Sequence, residues 1–304
     1  MESVQCLVCF DDIPLDIYEN HSIICLNQQQ ECLNNIIVKN NDKKENILPQ
    51  YNLPILTDAQ NKALEFSLKK SRIYSKNTKL EALHRFKKKG LTEEIYNKTT
   101  LYLQNLVQVV IHVNLNKTLQ HLVNDDHYRN LFEVGVGGGC LDKTIRASWE
   151  DKLFNNIYQN TNSFERVKYG ALNMTNSQMG IPCCHGYGDS FLVLKKEVKE
   201  RCTFVLGDSS KMEMHLGTFK YCDILLALIP EPLLDSVIKI AKNEEDNLPY
   251  NNSEYIESQI HGPVRLYEDV EMLVVNKKYE NNNNIINLLD QFTSKYNCPY
   301  IFMN

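Results

Sequence analysis

The spacing of apolar residues changes rhythm along this chain, and each change predicts a different kind of element. Thr57-x-x-Gln60 is a capping box: its side chains can satisfy the free amides at a helix start. Ala63, Leu64 and Leu68 then fall on one side of an amphipathic helix. A second helix is predicted around Thr78 to Lys89, ending at Gly90, and a third from Thr92 to about Leu103. From Val107 the period shortens. LVQVVIHVNL is rich in β-branched residues and reads as a strand, followed by a short helix around Thr118 to Asn124. LFEVGVGGG reads as a strand running into glycines, and RASWEDKLFNNIYQ as a helix. Further strands are predicted at Lys168 to Asn173, Ser190 to Leu194, Thr203 to Leu206, Ile256 to Val264 and Met272 to Val275, with one helix at Leu233 to Ala241. Helices first and mainly short strands afterwards predict an α+β domain.

Before these elements lies a different pattern. Cys6, Cys9, His21 and Cys25 are spaced Cys-x2-Cys-x11-His-x3-Cys, which suits four tetrahedral nitrogen and sulfur ligands to zinc. A Cys-x2-Cys pair fits a tight knuckle. His21 and Cys25 project from one face if the segment is helical, and Pro14 is placed to open that helix. The apolar spacing carries the predicted helix on through Leu33 and Ile37. After it, NNDKKENILPQYNLP is polar, carries Pro49 and Pro54, and reads as a linker. The expected organisation is a small ββα zinc finger over residues 1–40, a linker over 41–55 and the α+β domain over 56–304.

Composition narrows the functional classes. The chain has 304 residues, 43% hydrophobic and 23% charged, with a net charge of −5 and no basic tract; nucleic acid is not an expected partner. No run of 18 apolar residues occurs, and the N-terminus lacks a basic region followed by an apolar stretch, so neither a membrane span nor a secretory signal is expected. The 10 cysteines are scattered through a long chain, which suits reduced thiols in a cytoplasmic setting. Asn281 to Asn284 read as compositional drift in a loop.

Several groups could carry chemistry. On a strand, Tyr255, Glu257, Gln259 and His261 share one face; they are either a plain solvent-facing set or a row of functional groups lining a cleft. Gly135-Val136-Gly137-Gly138-Gly139 could bring backbone amides close to a phosphate, or could simply be a turn needing positive φ. It is not the GxGxxG of a dinucleotide fold. Tyr169-Gly170 and Asp208-Ser209 combine small and polar residues at strand ends. Arg146 precedes Glu150 by four residues and could pair with it inside a helix. Cys183-Cys184-His185 is discounted, since adjacent side chains rarely converge. No HExxH cluster is present to suggest a zinc hydrolase.

Two resemblances go further. The first segment, with Cys6, Cys9, Ile13, Pro14, His21, Cys25 and Leu26, resembles the UBZ-type ubiquitin-binding zinc fingers of DNA-damage-response proteins. Ile23 stands where those fingers usually have an acidic residue that contacts ubiquitin. The region from about Leu56 onwards resembles the DUF3626 family through HYRNLFEVGVGGG, IRASWEDKLFNNIY, RVKYGALN, CTFVLGDSS and YIESQIHGPVRLYEDVEMLV, in the family's order. His112-Val113-Asn114-Leu115 stand where the family commonly has His-Pro-Asp-Arg.

That second resemblance implies an ADP-ribosyltransferase-like split β-sheet domain, like bacterial effectors that ADP-ribosylate ubiquitin on a threonine hydroxyl. NAD would be the substrate and ubiquitin the partner, with zinc in the finger, a monomeric chain, and the host cytosol as location if the protein is secreted. Glu257 and Gln259 are implied as the catalytic pair. His112, Asn114, Gly135, Gly137, Arg146 and Tyr169 are implied as the residues that hold NAD. A non-catalytic ubiquitin- or nucleotide-binding zinc protein is the alternative.

Overall fold

The computed structural model describes residues 3–5, 12–14, 51–135, 139–210 and 215–303. The chain divides into two compact units, Met1–Gln50 and Tyr51–Asn304. In the first, β1 (Ser3–Gln5) pairs antiparallel with β2 (Asp12–Pro14). Pro14 therefore ends a strand, opposite Ser3, rather than opening a helix. Cys6, Cys9, His21 and Cys25 lie outside the described residues.

The second unit begins with α1 (Asp58–Lys88), capped as expected: the Gln60 amide N–H donates to Thr57 Oγ1 and the Thr57 amide N–H to Gln60 Oε1. Two helices were expected here, yet one of 31 residues forms. Neither glycine nor proline interrupts it. Its buried face is built largely from small or polar side chains (Gln60, Ala63, Ser67, Ser71, Thr78, Ala82), so the hydrophobic rhythm fades while the helix continues. Gly90, at φ +72°, ends the turn before α2 (Glu93–Asn105).

The core is an eight-stranded mixed sheet. Its strands are β3 (Gln108–Val113), β5 (Lys168–Asn173), β6 (Ser190–Leu194), β7 (Cys202–Leu206), β8 (Gly217–Thr218), β9 (Ile256–Ile260), β11 (Val270–Val275) and β12 (Tyr300–Phe302), in the order β12-β11-β6-β3-β5-β9-β7-β8. A two-stranded ribbon pairs β4 (His127–Tyr128) with β10 (Val264–Arg265). The predicted strand Ile256 to Val264 is thus two strands, separated where Gly262 takes φ +81°. Between β3 and β4 runs α3 (Leu115–Asn124). Two short helices, α4 (Leu131–Val134) and α6 (Asp223–Leu228), and two longer ones, α5 (Lys143–Leu153) and α7 (Glu231–Ala241), complete the region before β9. No helix among the described residues is long and apolar enough to cross a membrane.

Two elements differ from expectation for identifiable reasons. LFEVGVGGG begins as a single helical turn, because Asn130 and Glu133 form a reciprocal capping box and Gly135, at φ +70°, terminates it. The asparagine run near residue 282 starts α8 (Asn283–Tyr296): Asn282 Oδ1 accepts from the Ile285 amide, and Ile285, Leu289, Phe292 and Tyr296 are buried. After α8, β12 adds in parallel to β11.

The sheet opens at one place. β3 pairs with β5 only through Gln108–Asn173, Val109–Leu172 and Val110–Ala171. Beyond these, Val113 and its neighbours back to Ile111 pair with β6, while Lys168 to Gly170 pair with β9. Gly170 sits at the point of divergence, where an added Cβ would lie 2.7 Å from the Val110 carbonyl oxygen. We expect Gly170→Ala to lower thermal stability by about 1–3 kcal/mol through strand displacement. Gly186→Ala, with nothing within 4 Å of its Cβ position, should stay close to wild type in the same melting experiment.

Candidate functional site

The candidate residues centre on β9, which pairs with β5 on the side away from β3. All five residues of this strand are buried, which rules out a solvent-facing row. Glu257 lies opposite Ala171 and Val205, and Gln259 opposite Tyr169 and Thr203, so these side chains share one face. Their order is fixed by a directional chain. Thr203 Oγ1 donates to Gln259 Oε1 at 2.9 Å, which turns the Gln259 amide nitrogen towards Glu257, where Nε2 donates to Oε1 at 2.9 Å. Glu257 is 6% exposed. Burial pushes its carboxyl up to about 7, although the Ser209 hydroxyl and amide and the Gln259 side chain all favour the charged form.

A second carboxylate lies behind Tyr169. Glu150, on α5, is fully buried; it accepts from Tyr169 Oη at 3.0 Å and from Arg166 Nη1 at 2.9 Å. Burial pushes it up to about 7 against the neighbouring Arg166. Arg146 does not pair with Glu150 inside the helix. Its guanidinium stands 4.9 Å from the centre of the Tyr169 ring, and its Nε donates to the Cys140 carbonyl at 3.4 Å. One face of Tyr169 is thus covered by a cation that remains positioned for an anionic group.

Gly139 lies beside these groups. Gly139 has φ +78°, and a Cβ there would lie 3.3 Å from Tyr187 Cε1 and 3.7 Å from Arg146 Nη2. The left-handed backbone favours glycine here, and a Cβ would press on the Tyr187 ring. Gly135 serves as the left-handed cap of α4, and Gly137 lies outside the described residues. Tyr187, Tyr255 and Asp208 complete the wall. Tyr187 Oη and Tyr255 Oη are 3.1 Å apart, and Tyr255 Oη donates to Asp208 Oδ2 at 2.8 Å.

Across the opening, β3 carries His112. Its Nδ1 donates to the Gly188 carbonyl at 2.8 Å and its Nε2 accepts from the Ile181 amide at 3.2 Å. Burial pushes its pKa down to about 4, so the ring is neutral and both nitrogens hold the 181–188 loop. Asn114 precedes α3 without capping it, and its buried Oδ1 has no hydrogen-bond partner. Cys184 is buried and its thiol is pushed up by desolvation, which suits a packing role. Among the described residues, no cluster of three or more His, Cys, Asp or Glu is placed to hold a metal.

Of the residues singled out in the sequence, the fold gathers Glu257, Gln259, Arg146 and Tyr169, and it adds Glu150 and Tyr187 to them. The raised carboxyl of Glu257 makes stability pH-dependent. Its ordinary value is 4.5 and its folded value about 7, so the native state holds the extra proton between them. The stability this contributes is full below about pH 4.5 and is lost as pH rises through about 7. Glu257→Gln cannot lose a proton. Denaturant titrations should show its stability gaining on wild type by on the order of 1–3 kcal/mol between pH 4.5 and 8. Parallel pH curves for the two proteins would show that Glu257 is not perturbed.

Comparison with known proteins gives two findings. The "Gene 2 protein" of Mycobacterium phage D29 is 29% identical over 175 residues, which cover 53% of this chain and 62% of the phage protein, less than two thirds of its length. The family described as "Protein of unknown function (DUF3626)" matches residues 111–238 and 235–304, from β3 through the whole opening to β12. The chain belongs to the DUF3626 family.

Proposed function

We propose that this protein is an NAD-dependent mono-ADP-ribosyltransferase that modifies ubiquitin on a threonine hydroxyl. The observation that carries this reading is the placement of Glu257: a desolvated carboxylate, oriented by Gln259 and Thr203, at the point where the sheet opens. Cleaving the bond between nicotinamide and ribose develops positive charge on the ribose. A fixed carboxylate in a water-poor site stabilises that charge far better than one in bulk water. Glu257 requires no strength as a base for this task, only ionisation and position.

The other groups suit the rest of the substrate. Arg146 offers a guanidinium to the diphosphate, with Gly139 beside it. Asn114 offers an unpaired buried acceptor to a sugar hydroxyl. Tyr169, with one ring face against Arg146, is placed to pack against nicotinamide with the other. The ADP-ribosyltransferase-like fold itself is part of this proposal; it is supported by the end of β3–β5 pairing after three residues and by the family resemblance. The antiparallel pair β1–β2, with Cys6 and Cys9 between its strands in sequence, supports a ββα zinc finger. We propose that this finger recruits ubiquitin, since a tethered module raises the local substrate concentration to roughly millimolar.

A non-catalytic binder is the second reading. The observation in its favour is His112, both of whose nitrogens are engaged by protein backbone, on a strand that lacks the family arginine.

Intact-mass measurement of ubiquitin after incubation with NAD should show one added ADP-ribose. Glu257→Gln should reduce the rate about 100- to 1000-fold while circular dichroism stays unchanged. No mass added to ubiquitin by the wild-type protein would contradict the reading. Replacing Cys6 and Cys9 by serine should release about one zinc per chain and weaken ubiquitin capture; unchanged zinc content would refute the ligand set.

A further inference from the structure

The wall of the opening contains a hydrogen-bonded chain that binding and cleavage of NAD leave unused. Asp208 is held as a carboxylate: burial acts to raise its pKa, but the Ser210 amide and hydroxyl and the Tyr255 hydroxyl overcome it. The Ser210 amide donates to Oδ1 at 2.8 Å, so Oδ2 is left to accept from Tyr255 Oη at 2.8 Å. A carboxylate only accepts, which fixes the polarity of the chain. With its proton committed to Asp208, Tyr255 receives from Tyr187 at 3.1 Å. The Tyr187 oxygen then keeps a lone pair with no donor among the described residues, and this tyrosine is only half-buried.

The outer end of the chain is in the right place. Tyr187 lies against Gly139, beside Arg146, and Tyr187, Tyr255 and Asp208 all bring charge or dipole close enough to interact with Glu257. Both phenols are pushed above their ordinary range by burial, so neither ionises alone and each can pass a proton only by handing one on.

We propose that Tyr187, Tyr255 and Asp208 form a proton relay that deprotonates the acceptor hydroxyl during transfer. This rests on the ADP-ribosyltransferase reading. As the bond between ribose C1 and nicotinamide breaks, its electron pair leaves with the nicotinamide nitrogen. The acceptor oxygen bonds to C1. Its proton passes to Tyr187 Oη, the Tyr187 proton to Tyr255 and the Tyr255 proton to Asp208, which ends neutral and releases the proton to solvent. No oxidant or reductant is required. Tyr187 is the catalytic residue of the set, because it touches the acceptor; Tyr255 and Asp208 act through it.

The relay is tested with Tyr187→Phe, Tyr255→Phe and Asp208→Asn, using NAD and ubiquitin. Each phenylalanine removes one oxygen without changing packing. Expected is a fall in kcat of about 100-fold for each variant, with KM for NAD within twofold of wild type. Combining Tyr187→Phe with Asp208→Asn should cost no more than either alone, since one broken link disables the chain. Wild-type kcat in Tyr187→Phe, a loss confined to KM, or multiplicative losses in the double variant would overturn the relay while the wild-type activity still stands. A wild-type protein that transfers nothing from NAD would overturn both the relay and the reading beneath it.

Discussion

A carboxylate inside a β-sheet has to be held by protein groups, because water cannot do it. Glu257 lies on β9 between β5 and β7, and its desolvation opposes ionisation strongly enough to lift its carboxyl to about 7. What keeps it usable is the directional chain from Thr203 through Gln259, together with Ser209. These donors come from β7, β9 and the turn after β7, so the charge and the strand register depend on one another. Shifting β9 by one residue would send Glu257 and Gln259 to the opposite face and leave the carboxylate unpartnered.

The same logic repeats one strand away. Glu150 is buried at the end of α5 and anchors Tyr169 and Arg166. With Tyr169 fixed, Arg146 has a ring to rest on, and a long, flexible side chain becomes a placed cation. Two buried carboxylates on either side of one tyrosine both interact with it electrostatically. Across the opening, His112 uses its neutral ring to fasten the 181–188 loop, which in turn carries Tyr187 to the cleft.

How much of this was legible in the sequence depends on the range of the interactions. β3, β5 and β6 were legible because β-branched runs bounded by turn residues signal strands locally, and the start of α1 because a capping box is complete within four residues. The alternation of Glu257 and Gln259 placed them on one face, but whether that face met water or a cleft was decided by β5 and β7. Glu150 was read as an intrahelical partner of Arg146. Its actual partners lie 16 and 19 residues away and reach it only through the fold. Tyr187 meets Tyr255 across 68 residues, and no local pattern encodes that contact. The asparagine run that starts α8 has the composition of a loop, yet asparagine is also a preferred helix cap, and the cap is what forms.

On the proposed ADP-ribosyltransferase reading, the ionised form of Glu257 would drive cleavage of NAD. The most direct measurement is the rate of nicotinamide release from saturating NAD across pH 5 to 9. Because the folded carboxyl titrates at about 7, the rate should climb as pH rises through that value and level off above it. No nicotinamide release at any pH, or a rate indifferent to pH across this range, would contradict the claim.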